Sequence, residues 1–94
     1  MLLQINYLIR SKQDGKYLVA RAPKTNGVEA SYLLVFQQDY DAMSYINTHG
    51  REFSDRLSVE TASPTQLKGL MQRWNYDGFG IVRDPLLPEI QFVS

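Results

Sequence analysis

The chain contains no cysteine, one histidine and one tryptophan. Without cysteine there can be no disulfide, no thiol nucleophile and no cysteine–zinc centre. A lone His49 excludes the common multi-histidine metal sites. No apolar run approaches the roughly 18 residues that span a bilayer. The opening MLLQINYLIR has neither the basic start nor the small-residue cleavage site of a secretory signal. Glycine is sparse where a phosphate cradle would need it. Gly78-x-Gly80 stands before a strand-like run, whereas a nucleotide loop follows a strand and opens a helix. These absences set the expectation of a cytoplasmic protein with no metal, no cofactor and no membrane partner.

What is present is ordinary globular material. Of 94 residues, 44% are hydrophobic and 21% charged, enough apolar content to exclude compositional disorder and short enough for a single domain over 1–94. Net charge is zero, yet unevenly spread. Residues 1–27 hold Arg10, Lys12, Lys16, Arg21 and Lys24 against Asp14 alone. The remainder carries the compensating acidic excess. Such asymmetry fits a nucleic-acid surface, or charge complementarity within one fold or between two copies.

Asp14-Gly15 lies between two β-rich runs, a hairpin signal. A two-residue turn there sets Gln13 against Lys16, Ile9 against Ala20 and Tyr7 against Ala22. Ile5, Tyr7, Ile9, Leu18 and Ala20 then share a core face. Leu8, Arg10 and Lys12 with Tyr17, Val19 and Arg21 form the other. Pro23 and Asn26-Gly27 mark a loop. SYLLVFQ (31–37) is a nearly continuous apolar run, which places it centrally with both faces at least partly covered. Asp39 offers an N-cap to a helix with Ala42, Tyr45, Ile46 and His49 on one stripe and Gly50 as its stop. Arg56–Ala62 alternates as a strand. Ser63-Pro64-Thr65-Gln66 is a capping box with proline at the first helical position. Leu67, Leu70, Met71 and Trp74 follow as a core stripe. FGIVRD and EIQFV flank Pro85-Leu86-Leu87-Pro88 as two final strands. The order is β-β-β-α-β-α-β-β, and the expected fold is an α+β two-layer sandwich, mainly antiparallel, with two helices on one face of the sheet.

From about Tyr32 onward, LLVFQQDYDAMSYI, QLKGLMQRW and GFGIVRDP resemble the amino-terminal domain of the SseB-like family. That family usually ends the last strand in Asn-Pro, where Asp84-Pro85 stands here. The resemblance implies a small α+β module without established catalysis, and it adds no site residues.

Catalytic sets are poorly supported. Ser54, His49 and Asp55 can be grouped on paper, but proximity in sequence supplies neither geometry nor an oxyanion site. An enzyme built on His49, Arg51 and Glu52 lacks a partner constellation in the same way. His49 is better explained at a helix C-terminus, where positive charge is favoured. Asp39 and Asp41 suit a helix start, and Glu52, Asp55 and Glu60 suit a solvated face. The reading is therefore a non-enzymatic protein-interaction module that associates with itself, a homodimer, or with another protein. Its candidate interface residues are Leu86, Leu87, Leu8, Tyr17 and Val19. The alternative is a nucleic-acid-binding accessory protein, with Arg10, Lys12 and Arg21 as anion-binding residues beside Tyr17. Two leucines between prolines at a loop tip either fold back over the core or project toward a partner.

Overall fold

The computed structural model describes residues 4–23 and 27–93. Lys24 and Asn26, part of the charge count and of the loop assigned above, lie outside the described residues. The elements are β1 (Asn6–Ser11), β2 (Val19–Pro23), β3 (Glu29–Phe36), α1 (Asp39–His49), a 3₁₀ helix (Arg51–Arg56), β4 (Leu57–Ala62), α2 (Pro64–Trp74), β5 (Gly78–Asp84) and β6 (Glu89–Val93). Apart from the added 3₁₀ turn, this is the order expected from the sequence.

The strands form one mixed sheet, β4-β1-β3-β5-β6, with β2 also paired to β3. Only β3 and β5 are parallel, so the α+β class and the mainly antiparallel sheet hold. The hairpin behind β1 turns through four residues. Ser11 N–H donates to the Lys16 carbonyl at 2.8 Å, and Gly15 N–H to the Ser11 carbonyl at 2.9 Å. Gly15 takes a positive φ of 73° while Asp14 does not. A longer loop ending in left-handed glycine spares Asp14 the strained conformation that a two-residue turn demands. Asp14 instead accepts the Lys16 N–H on its carboxylate at 3.0 Å, and that bond first of all holds its pKa below the usual value.

Arg10 consequently sits opposite Tyr17, and the register is displaced by two residues from the expected one. A shift of two preserves the side-chain alternation, so the faces survive along the strands; Ile5, assigned to the core face, instead lies ahead of β1 and is 58% exposed. At Leu18 the chain changes partner. Its N–H bonds the Ile9 carbonyl of β1 at 2.9 Å, and its carbonyl takes the Leu34 N–H of β3 at 3.2 Å. Beyond it, Val19 to Pro23 follow β3.

The helices divide between the two sheet faces, where a single helical layer was expected. Leu34, Phe36, Ile9 and Val82 pack with Ala42 and Ile46 of α1. Leu33, Val35, Leu8, Ala62 and Ile81 pack with Leu67 of α2. Leu33 through Phe36 are all essentially inaccessible. Four consecutive buried apolar residues on a strand require cover on both sides, and one helix on each side supplies it.

Asp39 is the first helical residue of α1, behind Gln38, and no side-chain cap is made. Gly50 ends the helix at φ −132° and donates its N–H to the Ile46 carbonyl at 2.8 Å. The capping box of α2 is complete, with Gln66 N–H on Ser63 Oγ at 3.2 Å and Ser63 N–H on Gln66 Oε1 at 2.8 Å. Along its stripe, burial decreases. Leu67 is fully enclosed, Leu70 and Met71 are half-buried, and Trp74 is 40% exposed. The helix leaves the sheet toward its C-terminus, where Asn75 turns the chain in the left-handed conformation at φ 57°. Asp77 then fastens the entry of β5 to β3 by exchanging hydrogen bonds of 2.8 Å with the Ser31 backbone.

Candidate functional site

Leu8, Arg10, Tyr17, Val19 and Arg21 do lie on one side of the sheet, the side that carries α2. It is not an open face. Leu8 is 1% exposed beneath Leu67 and Ala62, so it belongs to the core and is no interface residue. Tyr17 packs against the same cluster and is half-buried, as is Val19 opposite Leu33. The expectation overlooked that the alternate residues of β1 would need a helix of their own.

The three basic residues are separately placed. Arg10 Nε donates to the Gly15 carbonyl at 2.8 Å, and its guanidinium stands 3.5 Å from Glu60 and 5.0 Å from the centre of the Tyr17 ring. Lys12 lies in the turn, its Nζ 3.4 Å from the Asp55 carbonyl. Arg21 is exposed on β2 opposite Ser31. Tyr17 donates its hydroxyl proton to Glu60 at 3.2 Å. Burial, followed by the Glu60 charge, pushes its phenol pKa up. Burial also raises the phenols of Tyr45 and Tyr76. Arg10, Tyr17 and Glu60 thus form an internally neutralised cluster beside a cavity of about 210 Å³ that Arg73 and Gln66 also line.

The opposite side presents a different arrangement, built from the β5–β6 connection. Asp84 and Glu89 are paired across the hairpin, with a register irregularity between Val82 and Asp84. Proline at 85 and 88 removes two N–H donors from the tip, so the loop cannot extend the ladder. One carboxylate oxygen of Asp84 accepts both the Leu86 N–H at 2.8 Å and the Leu87 N–H at 3.3 Å. The Pro85 carbonyl is held from α1 by His49 Nε2 at 2.9 Å. A carbonyl only accepts, so Nε2 carries the proton in this bond. His49 in turn lies against Tyr45, ring centres 4.8 Å apart, and Tyr45 meets Phe36 edge-on at 5.4 Å.

With its backbone fixed in this way, the loop projects its side chains outward. Leu86 is 61% and Leu87 75% exposed. The leucines do not fold back over the core. Beside them, His49 borders a cavity of about 330 Å³ whose walls include Leu18, Tyr45, Ile46, Phe53 and Leu57. Phe53 is half-exposed at its mouth, with the Arg56 guanidinium 5.9 Å from the ring centre. The 3₁₀ turn that delivers Phe53 and Arg56 was absent from the sequence reading. Its only signal was REFSDR itself, a segment with an isolated phenylalanine among charges.

His49 is therefore the last residue of α1, as expected, with its ring nitrogen turned to Pro85 and not to Ser54 or Asp55. Among the described residues, no three His, Asp or Glu side chains are grouped as metal ligands, and no helix is long and apolar enough to cross a membrane. No family model matches the chain, and neither a curated protein nor a solved structure does.

Proposed function

We propose that the protein is a non-enzymatic interaction module that self-associates through the Pro85–Pro88 loop. One observation carries this reading: two adjacent leucines are exposed while their backbone is fixed by Asp84 and His49. Burying each would contribute about 1.5–3 kcal/mol. Because the backbone is already ordered, little further conformational freedom is lost on association.

A second copy is the simplest partner, since closed two-fold pairing of identical chains is the commonest assembly of soluble proteins. The cytoplasm remains the expected compartment, on the cysteine-free sequence. The nucleic-acid alternative is weakened by the pairing of Arg10 with Glu60 and by the helix that lies over Leu8. Replacing both leucines by serine and following molecular mass by light scattering tests the proposal.

A further inference from the structure

Resting on that self-association, we infer that the apolar cavity beside His49 is the receptor for the leucine loop of a second copy. Each chain would offer Leu86 and Leu87 to its partner and accept the partner's pair between Tyr45, Leu18 and Phe53.

Three features of the surface argue for this occupant. The first is adjacency. His49 both lines the cavity and holds Pro85, so projection and recess lie side by side on one patch. A two-fold axis passing close to His49 exchanges them, giving two equivalent loop-to-cavity contacts, which is the self-complementarity that an isologous interface requires. The second is charge. The loop is bracketed by Asp84 and Glu89 with no basic residue between them, whereas the carboxylate-free lining of the cavity carries Arg56. An acidic loop entering a recess rimmed by an arginine is favoured, and the same loop meeting another copy's loop is opposed. The third is extent. A stable dimer covers about 800 Å² on each copy, about an eighth of this chain's 6248 Å². Toward that area the surface offers exposed Leu86, Leu87 and Phe53 as apolar anchors, with Arg56 on the cavity lining.

The contact is separable into its two halves, which gives a direct test. Leu86→Ser with Leu87→Ser removes the projection and leaves the cavity. Phe53→Asp spoils the cavity and leaves the projection, and Phe53 is exposed enough for the chain to fold without it. Arg56→Glu, also at an exposed position, reverses the rim charge. Dimer dissociation constants are measured by sedimentation equilibrium, with folding followed by circular dichroism. Each leucine withdrawn should weaken the dimer about tenfold to a hundredfold. Phe53→Asp and Arg56→Glu should each weaken it by at least about tenfold. Mixing the leucine variant with Phe53→Asp should restore a dimer weaker than the unmodified one, because one intact loop and one intact cavity remain in the mixed pair. If Phe53→Asp and Arg56→Glu dimerise as the unmodified protein does while the leucine variant is monomeric, the loop associates elsewhere. The self-association then stands and the cavity assignment falls. Absence of any mixed dimer at about 1 mM overturns the assignment as well, and an unmodified protein that is monomeric throughout overturns both.

Discussion

His49 at the end of α1 donates from Nε2 to the carbonyl of Pro85, 2.9 Å away and thirty-six residues later in the chain. The bond ties the β5–β6 tip to the helix on the same side of the sheet. It converts an apolar loop into a rigid projection, with the helix as its base. Asp84 performs the complementary task from within the loop, because a single oxygen receives both leucine amides.

Removing these two supports should loosen the loop more than it destabilises the fold. Asp84→Ala is expected to cost about 1–2 kcal/mol, the range for losing charge-assisted bonds to backbone donors. Asp84→Asn keeps an acceptor oxygen and should cost less than half as much. Hydrogen exchange at the Leu86 and Leu87 amides should accelerate in the alanine variant and in His49→Ala. Unchanged exchange in both would mean that neither side chain orders the tip.

The buried and exposed ends of the α2 stripe should respond differently from what the helical spacing alone suggests. Leu67→Ala is expected to cost about 2–5 kcal/mol, since the side chain is fully enclosed under α2. Trp74→Ala should cost less than about 2 kcal/mol, because the ring is 40% exposed where the helix leaves the sheet. Urea unfolding measures both. A larger loss at Trp74 than at Leu67 would reverse the burial gradient along the helix.

That gradient illustrates what the sequence could convey. The capping box at Ser63 and the order of all six strands were readable, because each rests on local chemistry within a few residues. The hairpin faces were readable even though the register was displaced by two, since alternation depends only on parity. The distribution of the helices was not, although SYLLVFQ already required cover on both sides. Which helix lies on which face is decided by long-range packing between β1, β3 and β5, and no local signal encodes it. For the same reason Leu8 reads as a surface residue beside Arg10 until α2 is placed over it. Leu86 and Leu87 were legible as loop residues because the flanking prolines exclude the strand. Phe53 was not legible, because a single aromatic in a charged 3₁₀ turn has no periodicity.

Alkaline conditions should destabilise the fold through its phenols. Tyr17, Tyr45 and Tyr76 have pKa values raised above the ordinary 10.0, in each case first by burial. The folded state therefore holds protons that the unfolded state releases first. Their contribution is complete below about pH 10 and is lost as pH rises through the folded values. Urea midpoints should fall between about pH 9 and pH 11, and Tyr17→Phe should flatten the decline. A midpoint that stays level over this interval would show the three phenols to be solvated.

Molecular mass by light scattering across a concentration series tests most directly the proposed joining of two copies through the leucine loop. The unmodified protein should approach twice the 10.8 kDa chain mass, while Leu86→Ser with Leu87→Ser should remain at the chain mass with an unchanged melting temperature. A monomer at every concentration, or a serine variant that dimerises as strongly as the original, contradicts the account.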